Sequence, residues 1–190
     1  SSLNREEVLF ANVYLGAGPI VEALDKGADV VVTGRCADTA LFLAPLIHEF
    51  GWSMTDWNLL GQGIVVGHLL ECAGQITGGY FADPGFKEVP RLADCGYPIA
   101  EVGRDGTMVI TKLDDTGGCV TTATVKEQLL YEVHDPARYL QPDVTADFSR
   151  VEVAAAGPDR VRLRGADGGP RPERLKVTVG FDGGFLGEAG

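Results

Sequence analysis

Four polar groupings in the sequence have residue types and spacings that could carry chemistry. The first is Arg35 with Asp38 and Thr39, inside the run VVVTGRCADTALFLAPL at residues 30–46. A guanidinium can grip a carboxylate or phosphate through two parallel hydrogen bonds, and Asp38 could orient it or act as a base. The same pair could equally be a helix cap and its ionic partner. The second grouping is the stripe His68, Glu71, Cys72 and Gln75, which a continuous helix would collect on one side. His beside Glu is an acid–base pair, with the carboxylate fixing the ring tautomer and raising its pKa. A solvent-facing stripe or a satisfied buried His is the structural alternative, and no second His stands near enough in sequence to suggest a metal.

The third grouping is a pair of turns, Thr77-Gly78-Gly79 and Thr116-Gly117-Gly118. The second precedes a helical segment and follows Lys112, so its N–H groups and the lysine could hold an anion. Neither turn fits a dinucleotide or P-loop pattern, and ordinary tight turns are the plainer reading. The fourth is Cys36 and Cys119, each beside a glycine turn near an expected helix start, where a thiol pKa falls. His48 and His134 sit near helix ends and read as dipole partners. The catalytic candidates are thus Asp38, His68 and Glu71. The substrate-binding candidates are Arg35, Thr39, Gln75, Lys112, Thr116, Gly117 and Gly118. No metal-ligand set and no cofactor motif is identified.

These groups need elements to position them. Residues 8–14 read as a strand, 15–19 as a glycine turn, 20–26 as a short helix and 30–32 as a strand buried on both faces. That order is a βαβ unit, and the end of its second strand is where open α/β sheets bind ligands. Residues 37–50 read as a helix in two pieces, with Asp38 as cap and Pro45 starting the second piece. A helical turn at 55–60 and a helix over 63–75 follow. Residues 98–112 are a hairpin around Arg104-Asp105-Gly106. Residues 122–133 form a helix with Thr124 and Glu127 spaced as a capping box. From 139 onward, 148–154, 160–164 and 174–181 alternate as strands. The expected fold is α/β: a mainly parallel three-layer sandwich over 1–138 with a β-rich continuation over 139–190.

The bulk composition narrows the function. The chain has 190 residues, 45% of them hydrophobic, with a formal net charge of −11. Such acidity argues against nucleic acid as a partner but leaves room for a small anion held by local cations. The four cysteines contain no C-x-x-C pair and read as free thiols in a reducing compartment. No signal peptide is evident, and no apolar run approaches the ~20 residues of a membrane span. A soluble, cytoplasmic protein is expected. Ser1 and Ser2 read as a cut edge or remnant, and the glycine-rich ending 182–190 lacks a structural finish.

Several segments together carry a family resemblance: NVYLGAGPIVEAL, GADVVVTGRCADTALFLAPLIHEFGW, GHLLECAGQITGGYF, PIAEV, TGGCVTTATVKEQLLYEV and YLQPDVTADFSRV. Over most of residues 12–151 the chain resembles the acyclic terpene utilisation (AtuA-like) family. The resemblance implies a bacterial catabolic context beside enzymes of acyl-CoA breakdown. It implies a cytoplasmic enzyme, or enzyme component, acting on a carboxylated or CoA-linked branched acyl substrate, with lyase or hydratase chemistry the natural class. A non-catalytic binding or scaffold subunit of an acyl-CoA-processing complex is the alternative. Family chains are longer, so this one is expected to be a fragment, to form a homo-oligomer, or to work with a partner chain supplying missing segments.

Overall fold

A computed structural model of the chain describes residues 5–184 and Gly187. The two terminal serines and the last stretch of the glycine-rich ending lie outside the described residues. Strand β1 (Val8–Val13) leads through Leu15 to helix α1 (Gly18–Asp25), which carries Pro19 in its first turn, where a residue without an N–H leaves nothing unsatisfied. The buried carboxylate of Asp143 anchors this start, both of its oxygens accepting from the Ala17 N–H at 3.0 Å.

Helix α2 (Ala40–Phe50) is continuous through Pro45 and ends on Gly51, whose φ of 65° supplies the left-handed cap. Its N-cap is Thr39, not the expected Asp38, and the Thr39 hydroxyl bonds elsewhere. The turn and helix expected over 55–75 are a single element, α3 (Trp57–Leu70), capped by Asp56 accepting from the Leu59 N–H at 3.2 Å. Its glycines let other backbone come close. A Cβ on Gly61 would lie 2.2 Å from the Asp167 carbonyl oxygen, and one on Gly67 would lie 2.8 Å from the Thr39 Cα. Helix α3 is therefore the central post of the molecule, with α2 on one side and the strand at Asp167 on another.

The hairpin forms as the sequence suggested, from β2 (Pro98–Val102) and β3 (Met108–Lys112) around Gly106. Helix α4 (Thr122–Leu130) is closed at its start by Thr121 and Thr124, each side chain accepting from the other's backbone N–H; the box falls three residues earlier than Thr124 and Glu127 would place it. Short strands β4 (Tyr139–Leu140) and β5 (Thr145–Asp147) come next, then β6 (Glu152–Gly157) and β7 (Arg160–Arg164). The chain closes with β8 (Asp167–Gly169) and β9 (Val177–Phe181).

The expected parallel three-layer sandwich does not form. The described strands build three antiparallel sheets, ordered β2-β3-β7-β6, β4-β5-β8 and β1-β9. The second strand of the expected βαβ unit is missing. Residues 30–33 lie outside any strand, with Val30 and Val32 80% and 92% exposed, and the only trace of parallel pairing there among the described residues is the single bridge Leu15–Cys36. Three valines in a row need sheet on both flanks, and no described strand supplies it. One core runs through the described residues, in which Leu43, Leu60, Ile64 and Leu69 of α2 and α3 meet Ile110, Val125, Val144, Val161 and Leu163.

Candidate functional site

Five stretches meet around a cleft of about 900 Å³: Tyr14 after β1, residues 37–39 entering α2, Glu71 leaving α3, residues 132–142 between α4 and β5, and residues 172–176 leading into β9. Of the sequence candidates, Asp38, Thr39 and Glu71 line it.

Their positions follow from how two helices begin and end. Thr39 is buried, and its hydroxyl donates to the Gln141 Oε1 at 2.8 Å, tying the start of α2 to the segment behind β4. Asp38, just before it, accepts from the Arg35 Nη1 at 3.0 Å; both side chains are about half exposed. Glu71 is the residue on which α3 stops. Its N–H still bonds the Gly67 carbonyl, but its ψ of 158° is extended, and Cys72 and Ala73 then turn left-handed at φ 57° and 49°. The stripe is broken at that point. Cys72 and Gln75 are not a continuation of the face bearing His68 and Glu71, because the helix ends at Leu70.

The electrostatics single out Glu71. Partial burial, then the negative charges of Asp38 and Glu132, then a hydrogen bond with the Asp38 carboxylate push its pKa up to about 7. Glu132 is itself a non-glycine residue in the left-handed region, φ 56°, a conformation that costs about 1 kcal/mol and concentrates at functional sites. Tyr139 lines the cleft as well. Burial, followed by the charges of Glu71, Glu132 and Asp38, pushes its hydroxyl up to about 12, so it stays a proton-bearing donor.

Three cations line the same cleft: Arg138, Arg174 and Lys176. The Lys176 Nζ lies 4.8 Å from the Tyr14 ring centroid, and the Arg35 guanidinium lies 5.0 Å from it. The aromatic ring thus positions one cation of the cleft and the partner of Asp38.

The remaining candidates do not line this cleft. His68 is fully buried, with its ring 5.5 Å from that of Tyr139 and 5.7 Å from that of Phe148, and among the described residues neither ring nitrogen has a partner at hydrogen-bond geometry. Burial lowers its pKa, outweighing the Gln128 and Leu129 carbonyls and the Glu132 charge that favour the protonated ring. Gln75 donates to Gln128, which in turn donates to the His68 carbonyl. The Lys112 Nζ is buried and donates to the Leu113 and Thr116 carbonyls, both at 2.9 Å, so it braces its own turn. Thr116 is part of that brace, its hydroxyl donating to the Leu113 carbonyl. The Gly117 and Gly118 N–H groups are taken by the Asp94 and Pro90 carbonyls, leaving no anion cradle. Arg35 stands beside the cleft, holding Asp38. The expected convergence of the Arg35 segment, the His68 stripe and the Thr116 turn reduces to Asp38, Thr39 and Glu71.

Other expectations are settled by local contacts. Burial pushes the Cys119 thiol up, opposite to the direction a nucleophile needs. His48 pairs with Asp25 at 2.6 Å, linking α2 to α1. His134 lines the cleft. Among the described residues no group of three or more His, Cys, Asp or Glu is disposed to hold a metal ion, and no helix is long and apolar enough to cross a membrane. The residues that sequence reasoning missed are Tyr14, Glu132, Arg138, Tyr139, Gln141, Arg174 and Lys176. They are scattered along the chain and share no motif.

A family model described as acyclic terpene utilisation family protein AtuA matches residues 1–190, the whole chain. The chain belongs to this family. No curated protein and no solved structure matches it. The family's description attaches the AtuA chain to acyclic terpene utilisation.

Proposed function

We propose that this AtuA chain is a cytoplasmic catabolic enzyme, or an enzyme component, that performs proton-transfer chemistry on a carboxylated or CoA-linked branched acyl substrate of terpenoid type. The observation that carries this reading is the Glu71–Asp38 carboxyl pair, set in one cleft with three cations that have no ion-pair partner among the described residues. A carboxyl that titrates near pH 7 serves equally as acid and base, which is what hydration or elimination beside a carbonyl requires. In its ionised form Glu71 takes a proton from the substrate α-carbon or from water; in its neutral form it returns one. Asp38 keeps the exchangeable proton on Glu71, and Arg35 fixes Asp38. In this reading the Tyr139 hydroxyl, which lines the cleft and keeps its proton, donates to the developing negative charge on an acyl oxygen. The cations Arg138, Arg174 and Lys176 take over the anchoring role that the sequence suggested for Arg35 and Lys112.

Exchange of substrate α-protons in D2O, followed by proton NMR with branched enoic and saturated acids and their CoA thioesters, tests this directly. The wild-type chain catalyses exchange, and Glu71→Gln loses it roughly 100-fold or more. Equal exchange by the variant removes Glu71 from the reaction.

A second reading, a binding subunit that works against another chain, has its own observation. The ribbon formed by β1 and β9 exposes Leu9, Phe10, Val13, Val177 and Phe181. A two-stranded ribbon with apolar side chains in water is marginal alone and gains from a covering partner.

A further inference from the structure

Helices α3 and α4 end in the same way, and both ends reach the cleft. After Leu70, Glu71 is extended at φ −61°, ψ 158°, and Cys72 turns left-handed at φ 57°. After Leu130, Tyr131 is extended at φ −61°, ψ 125°, and Glu132 turns left-handed at φ 56°. These torsions belong to a type II turn, and the Val133 N–H closes the second one on the Leu130 carbonyl at 3.4 Å. The second central position of such a turn suits glycine or asparagine, because most side chains are strained there. The chain meets a similar need with glycine where α2 ends, at Gly51. At 132 it keeps a glutamate. Two other non-glycine residues in the left-handed region hold backbone with their side chains. The Asp159 Oδ1 accepts from the Val120 N–H at 2.8 Å, and the Arg91 Nη2 donates to the Asp115 carbonyl at 3.0 Å. Glu132 has no such bond among the described residues. Its side chain is exposed, bonds the hydroxyl of its neighbour Tyr131 and lines the cleft with Glu71. A position that costs stability and returns no contact to the fold points to function.

We infer that Glu132 is a positioning residue for the proton on Glu71, kept at a strained backbone position because it brings a third carboxylate to the Asp38–Glu71 pair. The inference rests on the reading of Glu71 as the proton-transfer group and names what holds its proton in place. The charges that reach Glu71 are those of Asp38, from the start of α2, and Glu132, from the end of α4. Asp135, Arg138, Arg174 and Lys176 line the same cleft without adding to them. Asp38 shares its charge with the Arg35 guanidinium, 3.0 Å away, which offsets part of its effect. Glu132 has no cation within ion-pair distance among the described residues, so its charge acts on Glu71 without such an offset. A negative charge beside a carboxyl favours the form that keeps its proton. Cys72, beside Glu71, and Tyr139 of β4 feel the same set of charges.

Two variants of the full chain separate the carboxylate from the turn. Glu132→Gly relaxes the backbone and removes the charge; Glu132→Gln keeps the strained turn and removes the charge alone. Each is compared with the wild type by urea denaturation, by carbon-13 NMR titration of the Glu71 carboxyl and by the pH profile of α-proton exchange. Glu132→Gly is expected to be at least as stable as the wild type, its urea midpoint unchanged or higher. In both variants Glu71 is expected to bind its proton at least about twofold more weakly, and the pH profile of exchange to move down with it. A merely structural glutamate would move neither. Glu71 titrating as in the wild type in the folded Glu132→Gln variant overturns the inference. A Glu132→Gly variant less stable than the wild type also overturns it, because the glutamate would then serve the fold. No exchange by the wild type, with the Glu71 midpoint still moving in both variants, sinks only the enzymatic reading. Exchange by the wild type with an unmoved midpoint sinks only this inference.

Discussion

The Glu71 carboxyl hydrogen-bonds to that of Asp38, whose own Oδ1 is 3.0 Å from the Arg35 guanidinium. One residue ends a helix and the other precedes one, so the contact depends on how closely α2 and α3 pack. Gly67 and Thr39 make that packing possible, because only a residue without a Cβ tolerates the Thr39 backbone at this distance.

Gly67→Ala therefore tests the link between fold and site. Its Cβ would lie 2.8 Å from both the Thr39 Cα and the Thr39 carbonyl oxygen, which are backbone atoms and cannot swing away. Urea denaturation is expected to show a loss of about 1–3 kcal/mol. Activity should fall further than stability alone explains, since Thr39 and Asp38 move with α2. Unchanged stability would mean that the helices part without cost.

Glu71 gives the protein a pH signature. Its pKa in the folded state, about 7, lies above the ordinary carboxyl value, so between roughly pH 4.5 and 7 the folded chain binds more protons than the unfolded one. This group's contribution is fully present below the unfolded value and is lost as pH rises through 7. Because half of the side chain's environment is solvent, the effect is expected to be about 1 kcal/mol rather than the full linkage value. Chemical denaturation of the wild type and Glu71→Gln at several pH values checks this, and parallel curves would refute it.

His68 acts in the opposite sense. Its pKa is lowered by burial, so the neutral ring stabilises the fold above the unfolded value of 6.5, and that contribution is lost as pH falls below it. Both ring nitrogens are buried and, among the described residues, have no partner at hydrogen-bond geometry. Replacing the ring with an apolar group of similar size, His68→Leu, should be neutral or stabilising by about 1 kcal/mol and should reduce acid sensitivity. Strong destabilisation at neutral pH would show that the ring nitrogens have partners after all.

Lys112 is a structural lysine by the same accounting. Its side chain is 2% exposed, and its Nζ satisfies two carbonyls and contacts the Thr116 hydroxyl. Lys112→Met removes those donors while keeping the bulk, and should cost about 2 kcal/mol in urea denaturation. It should leave KM for substrate unchanged where the protein is folded. A raised KM with unchanged stability would return Lys112 to the binding residues.

What was legible in the sequence was local. The β2–β3 hairpin announces itself through alternation around Asp105-Gly106, a pattern that acts over a few residues, and α4 is legible as a helix although its hydroxyl cap is Thr121 with Thr124 rather than Thr124 with Glu127. Residues 30–32 mislead for a physical reason: three valines signal a strand buried on both faces, and the sheet that would bury them is not among the described residues. Asp38 and Glu71 are identifiable by type, but Cys72 and Gln75 share their face only if the helix continues to Gln75, and His68, inside the helix, is buried in the core. Nothing in Cys72-Ala73 marks a left-handed pair, since neither is a glycine. No local pattern marks Arg138, Arg174 and Lys176, which come from three separated positions that only tertiary packing brings to one cleft.

The most direct measurement of the central claim is the titration of the Glu71 side-chain carboxyl by carbon-13 NMR. A midpoint near pH 7 is expected in the wild type, moving toward the ordinary glutamate value in Asp38→Asn. A midpoint between pH 4 and 5 in the wild type would contradict it.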